Sequence, residues 1–303
     1  MNLFSISQLS QFSGIKAHTI RIWEQRYNAL NPQRSEGNTR YYNDKQLCRL
    51  LNIVSMMDCG HKVSSLGILS DEELFKLVRD LLPQSQNDTN EYYISQLVLA
   101  GMNYDSNYFD EVFSQALTTL GLKGTYINII LPLLNRLGLM WSANMLPTSH
   151  EHFISNIIRQ KLSVAIDATP VADPDSNTWL LFLPENEFHE IALLFAHFII
   201  RANGNKVIYL GSDVPLDSVV LAIDYIKPDN LLMFLIHFDR TDLIQDQINE
   251  LNSYFNGNKF YVAGNHKLIS NLKLSGKVEY IQSINSLENI LCLNSGLIPL
   301  NNR

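Results

Sequence analysis

A chain of 303 residues exceeds one ordinary domain, so two or three are expected. With 46% hydrophobic and 17% charged residues it has the composition of folded domains, which excludes a mostly disordered chain. The formal charge of −7 speaks against nucleic acid for the whole, yet residues 1–70 hold eight Lys/Arg against four Asp/Glu, a +4 segment that leaves −11 for the rest.

The first helix is predicted from Ser5, whose spacing to Gln8 is that of a capping box, through Phe12, with Gly14 breaking it. A second runs from Ala17 to Tyr27, with Ile20, Trp23 and Tyr27 on one face. Asn31–Tyr42 is extended, and Glu36-Gly37-Asn38 turns a small hairpin. Asn43 with Gln46 opens a third helix that Gly60 closes, and a short fourth follows Ser70. Pro83–Asn90 reads as a linker.

Four helical patterns come next, Glu91–Asn103, Ser106–Leu120, Tyr126–Trp141 and Ser149–Ala168, the material of a four-helix bundle. Pro132 is expected to kink the third of them. After a break at Pro170–Asn177, the runs WLLFLP, KVIYLG, NLLMFLIHF, KFYVAG and VEYIQ alternate with helical stretches. They predict a doubly wound five-stranded parallel sheet, whose ligands lie beyond the carboxyl ends of its strands. The fold class is thus multidomain α and α/β, with domains at 1–82, 91–169 and 177–303.

No apolar run near the roughly 20 residues of a membrane span is expected. The densest, Ile191–Ile200, contains His197 and ends at Arg201. The N-terminus has no basic region followed by an apolar one, and Cys48, Cys59 and Cys292 lack zinc or redox spacing. The chain reads as cytoplasmic.

A helix, tight turn, second helix and hairpin wing form a DNA-reading geometry. His18, Thr19, Arg21, Ile22 and Arg26 lie off the apolar stripe of the second helix and can face DNA. Arg34, Asn38, Arg40 and Tyr41 on the wing suit phosphate contact. The bland alternative is a solvated basic face of a protein-binding helical domain. The segment TIRIWEQRYNALNPQRSEGNTRYY resembles the winged helix-turn-helix signature of MerR-type transcription regulators over about 70 residues. The resemblance implies binding to double-stranded promoter DNA through paired heads. With no sustained heptads between Ser70 and Asn90, self-association as dimer or tetramer is expected in the larger C-terminal body.

Two constellations stand out in that body. One is Trp141 followed after nine residues by Glu151-His152; the other is Glu187-Phe188-His189-Glu190 after the first strand. An imidazole at such a junction can coordinate a transition metal while a carboxylate fixes its tautomer. Separately, each has a structural alternative: Trp141 a bundle cap, Glu151 a dipole partner at a helix start, His189 a junction histidine. His150, His197, His237 and His266 read as structural or solvent-exposed.

Together, and in this domain order, they resemble the cobalamin-binding module of CarH/LitR-type photoreceptor regulators. The resemblance implies a Rossmann-like cobalamin-binding domain with His189 as lower axial ligand of cobalt and Glu187 its motif partner. Trp141, Glu151 and His152 would line the upper face beside the adenosyl group of adenosylcobalamin. Gly211, Asp213 and Gly264 would lie near the nucleotide tail. Three positions depart from the family pattern: Ala192 stands where the motif ends in Gly, Asn265 follows Gly264, and Phe234-Leu-Ile-His237 lacks the usual Ser. The expected function is a light- and adenosylcobalamin-controlled regulator without turnover, most simply a repressor. The alternatives are a regulator with a degenerate module answering another ligand or partner, and, more remotely, a corrinoid methyl carrier.

Overall fold

The computed structural model describes residues 3–35, 37–58, 60–80, 90–142, 148–237 and 241–295. They form two compact units, divided at Ile157/Ile158.

In the first unit, Ser5 caps α1 (Ile6–Ser13) in a reciprocal capping box with Gln8, and Gly14 ends it at φ 72°. Helix α2 (Ala17–Tyr27) buries Ile20 and Trp23, while Tyr27 is half-buried. The wing strands β2 (Gln33–Arg34) and β3 (Arg40–Asn43) pair antiparallel. Strand β1 (Leu3–Phe4), too short to show a period, pairs with the other side of β3. Glu36 of the predicted turn lies outside the described residues.

Asn43 caps α3 (Asp44–Asp58) through the Gln46 N–H at 3.0 Å, but the Gln46 side chain accepts instead from the Asn31 N–H at 2.6 Å. A one-turn helix, α4 (Val63–Leu66), follows, then α5 (Asp71–Asp80), which Ser70 and Glu73 cap reciprocally. The predicted linker lies outside the described residues up to residue 89.

Helix α6 (Asn90–Met102) is buried along Tyr92–Gly101, because α3 packs on it from one side and α7 (Ser106–Thr125) and α8 (Leu131–Ser142) from others. Head and bundle therefore share one unit. Gly101 lets α6 approach α9 (Thr148–Asp167): a Cβ there would stand 2.2 Å from Ile154.

The helical run is distorted in two places. It breaks at Gly121 (φ 65°, ψ 173°), and a π-helical turn, Tyr126–Ile130, lies just ahead of Pro132 in a run that stays helical through Ser142. Proline lacks the N–H of a regular turn and crowds the carbonyl four residues back, so a disturbed turn is expected just before it. The membrane-span reading needs correction, since the run Ser106–Gly138 is long and apolar enough to cross one by length and composition. Here it supplies bundle core through Phe109, Phe113, Ile129, Leu133 and Leu137.

In the second unit, β4 (Thr178–Pro184), β5 (Lys206–Val214), β6 (Asn230–Leu235), β7 (Lys259–Gly264) and β8 (Val278–Ile281) form the parallel sheet. Their order is β5-β4-β6-β7-β8. Helices α10 (Ile191–Ala202), α11 (Leu216–Ile226), α12 (Thr241–Tyr254), the single-turn α13 (His266–Ile269) and α14 (Ile284–Ser295) connect or follow the strands. The inner strands are apolar runs because both faces are covered, as with Leu180, Phe182, Leu231, Met233, Phe260 and Val262 in one core. The strand order reverses between β4 and β6, so the ligand crevice belongs at their carboxyl ends.

Candidate functional site

In the head, His18, Arg21 and Arg26 are exposed on α2 and Thr19 is half-buried. Glu24 is turned inward instead. Its carboxylate accepts Arg40 Nε at 2.9 and 3.0 Å and Tyr42 Oη at 3.1 Å, tying the wing to α2. Burial, then the Glu24 charge, pushes the Tyr42 phenol far up. Arg40, read from sequence as a phosphate contact, thus spends its Nε inside the head, with 21% of its side chain exposed. Arg34 and Asn38 at the wing tip are exposed and bonded to each other at 2.6 Å, with Asn38 at φ 61°. Tyr41 is half-buried on β3.

At the switch point of the sheet, the residues after β4 form a tight loop around Glu187, whose side chain is fully buried. One carboxylate oxygen accepts from His189 Nδ1 at 2.6 Å and from the His189 backbone N–H at 3.1 Å. The other accepts backbone N–H groups of Ile236 at 2.9 Å and His237 at 2.6 Å, just past β6. Burial alone would raise this carboxyl; the His189 bond and the three backbone donors outweigh it and hold the pKa at about 2. An ionised carboxylate on Nδ1 fixes the proton there, so the lone pair of the ring is on Nε2. The imidazole is 58% exposed, at the crevice where the fold places ligands. This suits it to ligate a metal that brings its other ligands with it; among the described residues no group of three or more His, Cys, Asp or Glu is placed to hold a metal ion by itself.

The loop is clamped from β5. Asp213 (φ 56°) accepts the Asn186 N–H at 2.8 Å through its carboxylate and donates its own N–H to the Glu187 carbonyl at 3.0 Å. Gly211 (φ 88°) sits where β5 bulges against β4, which lets the strand turn Asp213 toward the loop. Gly264 has a packing reason of its own: a Cβ there would lie 2.1 Å from the Leu235 carbonyl oxygen. Asn265 caps α13 through the Lys267 N–H at 3.0 Å and donates to the Ile236 carbonyl at 3.3 Å. Ala192 is half-buried in the first turn of α10.

Trp141 lies in the last turn of α8, and its side chain is outside the described set. Beyond the five residues 143–147, which lie outside the described residues, Glu151 and His152 stand in the first turn of α9, paired at 2.7 Å, with Ser155 donating to Glu151 at 2.5 Å. His152 is 68% exposed. Sequence reasoning missed three groups. The Ile236 and His237 amides carry no side-chain signal. The clamp role of Asp213 depends on left-handed backbone, which Asn186-to-Asp213 spacing does not announce. The row Arg159–Glu190–Tyr209, at 2.5 and 3.2 Å, joins α9 to the residue after His189, and His197 stacks on Tyr209.

Comparison with known proteins decides what these parts are. Residues 4–71 match the MerR HTH family regulatory proteins, and residues 93–166 match the B12 binding domain. The chain thus carries a MerR-type helix-turn-helix region followed by a B12 binding domain. It is 26% identical to the HTH-type transcriptional repressor CarH of Myxococcus xanthus over 230 residues, 75% of this chain and 76% of the relative. It is 28% identical to the repressor CarA of the same organism over 229 residues, 74% and 73% of the two chains. A solved monomethylamine corrinoid protein of Methanosarcina barkeri matches 68% of this chain and 100% of its own, with TM-score 0.54 and 16% identity. At that identity the likeness speaks for the fold alone.

Proposed function

We propose that this chain is a cytoplasmic, self-associating repressor whose hold on promoter DNA is set by adenosylcobalamin and light. The observation that carries the reading is the Glu187–His189 pair at the switch point, in a chain whose head is of MerR type. His189 would hold cobalt through Nε2, and Glu187 would keep the ring oriented and basic. Trp141, Glu151 and His152 would face the adenosyl group, with the Glu/His pair offering hydrogen bonds. Gly211, Asp213 and Gly264 would border the nucleotide tail. His18, Thr19, Arg21, Arg26, Arg34, Asn38 and Tyr41 would meet DNA, and Arg40 would hold the wing while presenting its remaining N–H groups. Bound adenosylcobalamin supplies a light-sensitive cobalt–carbon bond. A ligand can shift assembly only by its preference for one state, so residues touching the group that light removes would carry that preference.

The test is to load the purified chain with adenosylcobalamin in the dark and record absorbance and solution mass before and after illumination. A coloured protein whose mass changes on illumination supports the reading; a colourless one of constant mass sinks it. A second reading, a regulator whose module answers another ligand or partner, is favoured by one observation. Asn265, standing where the family has a second glycine, uses its side chain to cap α13, which narrows the room beside Gly264. DNA occupancy indifferent to cobalamin and light would select it.

A further inference from the structure

The bundle grips the turn of the helix-turn-helix. Arg136 on α8 has only 13% of its side chain exposed. Its guanidinium donates to both oxygens of Glu91, in the first turn of α6, at 2.7 and 2.9 Å. The same Nη1 also donates to the carbonyl of Phe12 at 3.2 Å. Phe12 lies in the last turn of α1, where carbonyls lack helical partners and a cation complements the helix dipole. Two residues on, a Cβ at Gly14 would stand 3.3 Å from Arg136 Nη2. The guanidinium therefore sits on the junction that aims α2, and Trp141 lies five residues further along the same helix.

A second polar fastening crosses the same boundary. Gln96 on α6, fully buried, donates to Ser55 at 2.7 Å and Asn52 at 3.3 Å on α3, and accepts from Tyr108 on α7 at 2.8 Å. Apolar packing tolerates small slides, but such bonds hold in one register only.

We propose that Arg136 is a positioning residue for DNA recognition, through which the helix bundle sets the attitude of α2. Its ligand-responsive part rests on the function proposed above; its effect on DNA affinity does not. A shift of α8 in register would break the bond to Phe12 and free the turn.

The experiment uses the full chain, adenosylcobalamin in the dark, and a duplex selected by the wild type from a random pool. DNA affinity is measured with and without adenosylcobalamin, and adenosylcobalamin affinity with and without DNA, for wild type and Arg136→Met. Coupling of about tenfold is expected in the wild type, equal from either side. The variant should bring that ratio near one while leaving adenosylcobalamin affinity off DNA unchanged, a split that mere loss of stability does not produce. A wild-type ratio kept by the variant overturns the proposal. If the wild type itself shows no ratio, ligand control falls, and Arg136 is judged by DNA affinity alone: about tenfold weaker binding by the variant supports the proposal, and equal binding overturns it. Should Arg136→Met not fold, amide exchange across residues 9–17 of the wild type decides. Protection altered by adenosylcobalamin or by DNA supports the clamp, and protection indifferent to both overturns it.

Discussion

Glu24 in the head and Glu187 in the sheet domain are both carboxylates taken out of water, and they are satisfied in opposite ways. Glu24 takes the Arg40 guanidinium and a phenol, with Arg34 3.9 Å away, so it draws positive charge from the face proposed to meet phosphate. Glu187 takes three backbone N–H groups and an imidazole, and among the described residues no Lys or Arg is bonded to it. The head uses its carboxylate to fasten a wing; the sheet domain uses its own to hold a ring that is 58% exposed. A carboxylate held by backbone donors leaves its histidine able to ligate, and the place to build one is where several strand ends converge.

The largest expected effect follows from that convergence. Glu187→Ala strands four donors around a buried hole, costing on the order of 3 kcal/mol in urea denaturation of the ligand-free chain. Glu187→Gln keeps the shape and should cost less, but cobalamin affinity should drop roughly 10–100-fold, as for other partners of metal-bound histidine. If the two substitutions cost the same stability, the backbone donors are not what makes the site.

Glu24→Ala tests the other half. Arg40, partly exposed, can turn to water, so the loss should be smaller, about 2 kcal/mol. Thermal unfolding that ranks this variant below Glu187→Ala would reverse the comparison.

Next in size comes His197, whose buried ring nitrogens have no hydrogen-bond partner among the described residues and whose ring stacks on Tyr209. Burial, then the nearby Arg201 charge, brings its pKa down to about 4 from 6.5. The depressed value means that folding favours the neutral ring. The associated stability is complete above pH 6.5 and is lost as pH falls toward 4, by about 1–2 kcal/mol after allowing for partial solvent screening. His197→Phe should flatten the stability profile across that window, and an unchanged slope would refute the assignment.

The smallest effect is Arg34→Ala at the exposed wing tip. It should leave stability within about 0.5 kcal/mol and reduce the slope of log affinity against log salt by about one. An unaltered slope in DNA titrations would remove Arg34 from the interface.

Much of this was legible in the residues. Capping pairs such as Ser5/Gln8, the stripe Ile20–Trp23, and apolar runs bounded by helical patterns are local signals, and the structure follows them closely. The packing of α3 against α6 was not legible, because both helices are apolar on several faces and Gln96 looks like any surface glutamine in isolation. In the site, the resemblance singled out Glu187 as the partner that His189 bonds, and a histidine beside carboxylates after the first strand could be read from the residues. The amides of Ile236 and His237 could not, since a backbone donor leaves no mark on composition, and neither could the fold's own demand for Gly264. Arg40 was legible only in part, because an arginine on a wing invites phosphate while only the inward turn of Glu24 shows where its Nε goes.

The central claim is that Glu187 presents His189 as a metal ligand. The most direct measurement is the dark absorption spectrum and affinity of adenosylcobalamin with wild type and with His189→Ala. The account predicts a shifted spectrum and binding weaker by at least about tenfold in the variant. An identical spectrum with identical affinity would contradict it.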